Sequence, residues 1–304
     1  MTTKSHRLRE LIAGPRILVM PGVYDGFSAR LTERMGFEAA MLSGAGLSES
    51  HLGQPDVGIM GLKENVDASH LIASCTELPL LADGDTGYGN AVNVHFTVRA
   101  FEDAGVAGVM IEDQVWPKRC GHMAGKEVID AEEGVQKIRA AVDARRDPDF
   151  VIKARTDAAG PLGIEEAIRR ANQYAEAGAD LIFADALLNV KDMERVVKEV
   201  QAPMAVNMGF GIRKRPTTPL LSVRQLEEIG FAAVSVPRML SAAALRGMLN
   251  AVAVFKESLE TGEAVDRPDL AVSFDELNEI MGFEFIRDLE SRYLTEEQLK
   301  VKYG

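Results

Sequence analysis

Three acidic residues, Asp83, Asp85 and Glu112, and one cysteine, Cys120, carry the most specific chemistry in this sequence. The acids stand in Leu81-Ala82-Asp83-Gly84-Asp85-Thr86-Gly87 and in Ile111-Glu112-Asp113-Gln114. An oxygen-only donor set, with no His or Cys, suits a hard divalent cation such as Mg²⁺ or Mn²⁺ rather than Zn²⁺. Mg²⁺ keeps several waters and takes few direct protein ligands, so part of this set is expected to act through water. A lone Asp in a loop more often caps a helix N-terminus. Three acids on neighbouring strand ends favour a metal site.

Cys120 lies in Trp116-Pro117-Lys118-Arg119-Cys120-Gly121-His122, among Lys118, Arg119 and His122. Nearby cations lower a thiol pKa, which suits a cysteine to act as acid, base or nucleophile. Gly121 and Gly125 would let the segment close as a lid. Cys75, in the helical run His70-Leu71-Ile72-Ala73-Ser74-Cys75, reads instead as a small apolar packing residue. Arg155 is suited either to a bidentate bond with a ligand carboxylate or to a salt bridge across the site, to Glu112 or Asp185. Ser43-Gly44-Ala45 offers a hydroxyl and successive N–H groups that could cradle a carboxylate.

The elements that must position these residues announce themselves through a repeated phrase, a helix ending at Gly followed at once by an apolar strand. It occurs at Gly36, Gly105, Gly178 and Gly230. Glycine past a helix end supplies the left-handed cap, and short apolar runs suit parallel strands buried on both faces. Strands are expected at roughly 17–23, 38–43, 78–83, 108–113, 150–156, 181–186, 203–208 and 232–237, with amphipathic helices such as Gly163 to Ala177 between them. Such alternation predicts a closed (β/α)₈ TIM-type barrel. An open doubly wound sheet fits less well, since no Gly-x-Gly-x-x-Gly turn follows the first strand. In a barrel, catalytic groups come from the C-terminal strand ends. Ser43, Asp83, Glu112, Arg155, Asp185 and Asn207 all fall there.

From residue 266 onward the pattern turns purely helical, at Ser273–Met281, Glu284–Tyr293 and Thr295–Tyr303. The barrel is therefore assigned to 1–265 and additional C-terminal helices to 266–304, as a cap on the same chain or an arm on a neighbouring subunit. The 304 residues are 46% hydrophobic and 26% charged, with net charge −12, which argues against nucleic acid or an anionic membrane as partner. A small carboxylate remains compatible, because a bound cation reverses the local field. Two cysteines, a polar N-terminus and no run of 18 apolar residues lead to the expectation of a cytoplasmic protein with reduced thiols.

With Pro21-Gly22-Val23-Tyr24-Asp25, Gly53-Gln54-Pro55-Asp56 and Ala154-Arg155-Thr156-Asp157, these motifs resemble the isocitrate lyase/phosphoenolpyruvate mutase superfamily over nearly the whole chain. Glu112-Asp113-Gln114-Val115-Trp116-Pro117 is most similar to its branch of 2,3-dimethylmalate lyase, petal death protein and 2-methylisocitrate lyase. The resemblance implies retro-aldol cleavage of a substituted malate or a 2-methylisocitrate-like acid. The products would be a 2-oxo acid, pyruvate or glyoxylate, and a second carboxylate. It further implies that Asp83, Asp85 and Glu112 hold Mg²⁺ with Asp56 in support, and that Ser43, Gly44, Ala45 and Arg155 bind the oxo-acid half. Lys118 to His122 resembles the catalytic loop of the carbon–carbon lyases. Cys120 would protonate the enolate of the other half, with Gly121 and His122 shaping the loop. A homotetramer with C-terminal helices packed across subunits is implied as well.

The sequence departs from that pattern in two places. Asp185 stands where such lyases usually have Glu, and the segment from Met208 to Pro219 is longer and basic, with Arg213, Lys214 and Arg215. Those three could recognise an extra negative group or form a solvated loop. Asp185 and the altered segment after Asn207 keep an oxaloacetate-type decarboxylase or hydrolase, or a phosphonate-processing enzyme, as the alternative. Phosphonomutases of the superfamily lack the cysteine, and its oxaloacetate hydrolases tend to carry Ser where this chain has Pro237.

Overall fold

The computed structural model describes residues 2–121, 123, 125–210 and 218–303. Eight parallel strands follow one another around a closed barrel: β1 (Leu18–Val23), β2 (Ala40–Leu42), β3 (Leu80–Asp83), β4 (Gly108–Glu112), β5 (Val151–Thr156), β6 (Leu181–Ala184), β7 (Met204–Asn207) and β8 (Ala233–Val236). The expected (β/α)₈ barrel is thus the observed fold. All four anticipated glycine caps have positive φ, from 79° at Gly36 to 105° at Gly230. Each lets a helix stop and a buried strand begin without a Cβ penalty.

Register decides which side chains meet at the barrel axis. β1 pairs with β8 through Met20 and Ser235, β4 with β5 through Met110 and Lys153, and β5 with β6 through Arg155 and Phe183. Alternate residues of each strand face inward, so Val151, Lys153 and Arg155 climb the same face of β5 toward the C-terminal rim. The interior below the rim is apolar: Met20, Met41, Leu81, Met110 and Phe183 pack in one cluster with Leu8 and Ile12 of helix Lys4–Ile12, which closes the opposite end. A second core fills the space between the strands and the outer helices, with Phe101, Ile138 and Val196 among its members. By area, each such fully buried side chain contributes about 1.5–3 kcal/mol.

Lys153 breaks the apolar interior. Its side chain is fully buried, its Nζ lies 4.7 Å from the centre of the Phe183 ring, and among the described residues it has no hydrogen-bond partner. Burial, reinforced by the neighbouring Arg155, pushes its pKa down to about 7.

The chain separates into two compact units, Met1–Ala243 and Ala244–Gly304. This division falls earlier than the 265/266 boundary read from the sequence, because helix Met239–Thr261 runs on for 23 residues and belongs largely to the second unit. That helix is long and apolar enough to cross a membrane by length and composition, although no uninterrupted run of 18 apolar residues exists. Arg246, Lys256 and Glu257 punctuate it. Within the second unit follow helices Phe274–Ile280, Phe283–Tyr293 and Glu296–Tyr303, close to the three expected stretches, the first held by a capping box between Ser273 and Glu276. Phe274, Phe285 and Tyr293 are exposed.

Candidate active site

The acids and the loop meet at the C-terminal rim. A cavity of about 50 Å³ is lined there by Ser43, Ala45, Asp56, Asp83, Cys120 and Gly121, and by Arg155, Asp185 and Asn207 facing them. Its outer wall is built by Met208, Gly209, Phe210, Pro237 and Arg238. Sequence reading anticipated the first group. Of the second it had marked Pro237 and the segment that begins at Met208, but not Arg238, because a single basic residue beyond a strand end carries no pattern of its own.

Backbone strain marks the same place. Asp85, Tyr88 and Ala186 adopt positive φ without being glycine, a conformation that persists only where surroundings over-determine it. For two of them the surroundings do so: the Asp85 N–H donates to Asp83 Oδ1 (3.1 Å), and the Tyr88 hydroxyl donates to Asp85 Oδ2 (3.4 Å). Asn65 Nδ2 donates to both Asp83 O and the Tyr88 hydroxyl at 2.8 Å. Gly44 is pressed on the acids; a Cβ there would lie 2.8 Å from Asp83 Oδ2. Ser43 caps the short helix Gly44–Leu47, its Oγ accepting from Gly46 N at 3.1 Å.

Glu112-Asp113-Gln114 separates into three tasks. Glu112 enters the site, where its Oε2 meets Arg155 Nε at 3.1 Å. Asp113 turns behind the wall and accepts from Thr156 Oγ1, Tyr174 Oη and Arg170 Nη1 at 2.8–3.1 Å. Gln114 ties down the cysteine loop: its Nε2 donates to Glu112 Oε1 and Arg119 O, and its Oε1 accepts from Arg119 N, each at 3.0 Å. The loop is further fixed by Cys120 N donating to Asp56 O at 3.1 Å, which leaves Cys120 9% exposed. No disulfide occurs among the described residues. His122 and Arg213, Lys214 and Arg215 lie outside them.

Arg155 makes both salt bridges foreseen for it, and one more. Its Nε and Nη2 grip Asp157 at 2.7 and 2.9 Å, while Nη2 also reaches Asp185 Oδ2 at 2.7 Å. Lys126, which no motif pointed to, holds Asp157 at 2.7 Å and Asp185 at 3.7 Å. Burial alone would raise Asp157, but Arg155 and Lys126 outweigh it and keep its carboxyl well below the usual range. Lys118 pairs with Asp56 and, at 2.8 Å, with Asp85. Burial works against its charge, yet those carboxylates hold its pKa well above the ordinary value.

The charges do not balance. Lys118, Lys126 and Arg155 face six buried carboxylates, Asp56, Asp83, Asp85, Glu112, Asp157 and Asp185. Burial pushes Asp85 up to about 6 despite Lys118, with Asp83 adding to the effect, and pushes Glu112 up despite Arg155. Among the described residues no three acidic, His or Cys side chains converge as a ready-made ligand cage. An oxygen-only cluster short of positive charge, without a closed cage, fits a hydrated hard cation held by few direct bonds. It does not fit Zn²⁺.

The family model for phosphoenolpyruvate phosphomutase matches residues 8–256. The chain belongs to that family. The match takes in all eight strands of the barrel and every rim residue described above. Among similar proteins of the family, 2,3-dimethylmalate lyase of Eubacterium barkeri is 42% identical over 95% of this chain and 98% of its own length. A 2-methylisocitrate lyase of Aeropyrum pernix is 43% identical over 94% and 88% respectively. Of solved structures, an oxaloacetate acetylhydrolase complexed with 3,3-difluorooxalacetate superposes with a TM-score of 0.88 at 33% identity, over 95% of this chain and 96% of that one. A phosphonopyruvate hydrolase with oxalate and Mg²⁺ superposes at 0.83 and 32%, over 97% and 100%. One fold in this family thus carries several reactions, and the site must choose among them.

Proposed function

We propose that this chain is a divalent-metal-dependent carbon–carbon lyase that cleaves a substituted malate or a 2-methylisocitrate-like acid by retro-aldol chemistry. The observation that carries the reading is the placement of Cys120 in one cavity with Arg155, Asp185, Asn207 and Ser43. Lyase relatives match the chain over nearly its full length, which supports the same class of reaction here.

Asp83, Asp85 and Glu112, supported by Asp56, would hold Mg²⁺ or Mn²⁺, which when bound offsets the charge of the oxo-acid half and polarises its oxygen. Arg155, Ser43, Gly44 and Ala45 bind and orient that half, with Asp185 and Asn207 beside it. Arg155 is rigid because three carboxylates already fix its fork, so little ordering remains to be done when substrate arrives. The hydroxyl gives its proton to a carboxylate of the rim, and as the bond between the hydroxyl-bearing carbon and its neighbour breaks, its oxygen becomes the carbonyl oxygen of the 2-oxo acid. The electron pair passes to the second half as an enolate, and the Cys120 thiol delivers a proton to its carbon. Lys118, pinned between Asp56 and Asp85, holds the cysteine loop on the acid cluster. The loop must open to admit substrate and close to exclude water. A homotetramer, with the exposed C-terminal apolar side chains covered by neighbouring subunits, completes the proposal.

The test is a screen of substituted malates and isocitrates with Mg²⁺, trapping released pyruvate or glyoxylate, in wild type and Cys120→Ser. Expected are release by the wild type and a loss of roughly 10²–10⁴-fold in the variant, the range of a missing acid/base group. Undiminished release by Cys120→Ser would remove the proton-transfer role.

A further inference from the structure

Behind the wall from which Glu112 enters the site, helix Ala131–Ala144 buries Gly134, Val135, Ile138 and Ala141, and with them Lys137. Gly134, one turn earlier, keeps the space open: a Cβ there would lie 2.3 Å from Tyr174 Oη. Among the described residues the Lys137 amine has one hydrogen-bond partner, the carbonyl oxygen of Thr86 at 3.1 Å, and no ion pair. An ammonium buried on a single neutral acceptor is costly, and burial lowers its pKa against the pull of Glu133 and Asp113. Packing alone does not account for an amine here, since a Met would fill similar space without that cost.

Its one partner sits at a sensitive point. Thr86 follows Asp85, whose backbone is held at φ 49°. Glu112 N donates to Asp85 O at 2.9 Å, and Lys137 Nζ donates to Thr86 O, so two successive carbonyls of the turn are fixed, one by β4 and one by the helix behind it. The Thr86 side chain takes no part, because its Oγ1 is buried without a partner. Lys137 also lines a void of about 10 Å³ together with Glu112, Asp113 and Arg155. The amine therefore stands directly behind the acids at the rim.

We propose that Lys137 is a positioning residue for the acid cluster: by holding Thr86 O it fixes the Asp85–Thr86 turn against Glu112 and so sets how the two carboxylates stand to each other. It acts through Thr86 rather than on a ligand. The consequence for cation binding rests on the metal reading above; the hold on the turn does not. Its charge works in the opposite sense, because a cation behind the wall repels a divalent ion. If charge were all that mattered, removing Lys137 would tighten Mg²⁺ binding. Lost positioning weakens it.

The experiment measures Mg²⁺ binding by calorimetry without substrate, and backbone hydrogen exchange over residues 84–88 in metal-free protein. Lys137→Met should weaken Mg²⁺ by roughly 10–100-fold, the usual cost of losing a group that orients a metal ligand, and should speed exchange at the turn. Ile138→Ala, which loosens the same helix without touching Thr86, should leave the affinity within about twofold. Lys137→Arg keeps a donor able to reach the carbonyl and should restore most of the affinity. Unchanged or tighter Mg²⁺ binding in Lys137→Met, or an equal loss in Ile138→Ala, overturns the assignment. Should Lys137→Met fail to fold, Lys137→Gln, too short to reach Thr86 O, is read in the same way. If the wild type binds neither Mg²⁺ nor Mn²⁺, the metal reading fails, and exchange decides: a turn loosened in Lys137→Met but not in Ile138→Ala upholds the positioning role, and an unaltered turn overturns it.

Discussion

Gly121 stands against Asp185 so closely that a Cβ on it would lie 1.8 Å from Asp185 Oδ2, and 2.8 Å from Arg155 Nη2. The loop that carries Cys120 is thus seated on the very ion pair proposed to orient the oxo-acid half. In Gly121→Ala something must move. Arg155 is fixed by three carboxylates, and breaking a buried pair costs about 3–5 kcal/mol, so the loop yields. Activity should then fall by roughly 10²-fold, the cost of misplacing a reacting group by about 1 Å, with little change in melting temperature. Full activity in Gly121→Ala would show that loop seating is irrelevant to turnover.

Much of this was legible beforehand, for physical reasons that differ by residue. The barrel could be read because parallel strands buried on both faces leave short apolar runs, and because helix ends at Gly36, Gly105, Gly178 and Gly230 need left-handed backbone. Asp83, Glu112, Arg155 and Asp185 could be read because they fall at strand ends, where a barrel places its site. Lys126 and Arg238 could not. Each is a single cation in a loop, and only the closed geometry brings Lys126 onto Asp157 and Arg238 into the cavity. Lys118 was noticed as a neighbour of the thiol, yet its charge is spent on Asp56 and Asp85. The boundary at 265 followed the end of the strand–helix alternation, whereas compactness follows the long helix Met239–Thr261.

The charge imbalance at the rim predicts a metal requirement. Treatment with EDTA should abolish turnover and Mg²⁺ should restore it, with Mn²⁺ as a substitute. Because six buried carboxylates there face three cations, added Mg²⁺ should also raise the melting temperature, by mass action on the folded state alone. Full activity in a metal-free preparation would refute the Asp83/Asp85/Glu112 assignment.

Assembly can be tested at the other end of the chain. Phe274, Phe285 and Tyr293 are exposed in the single chain, and burying such aromatics at an interface typically dominates its stability. Deletion from Ser273 onward should shift the sedimentation profile from tetramer to smaller species. An unchanged profile would assign these helices no part in assembly.

Lys153 gives a prediction for stability rather than activity. Its amine sits in the barrel interior beside Phe183 with no hydrogen-bond partner among the described residues, and its pKa is pushed down to about 7 from the ordinary 10.5. In the unfolded chain the amine keeps its ordinary affinity for protons. Between about pH 7 and 10.5 the unfolded state therefore binds more protons, and wild-type stability climbs with pH through that window. Below it both states are protonated, and the cost of burying the charge is constant, about 5 kcal/mol from the shift. Lys153→Met removes the charge while filling similar space. Its gain in stability should be largest at pH 7 and below, and should shrink as pH approaches 10.5. Denaturant titrations of both proteins at pH 6.5 and 9.5 measure this directly. A gain that is the same at both pH values would mean that Lys153 titrates normally and is not buried as described.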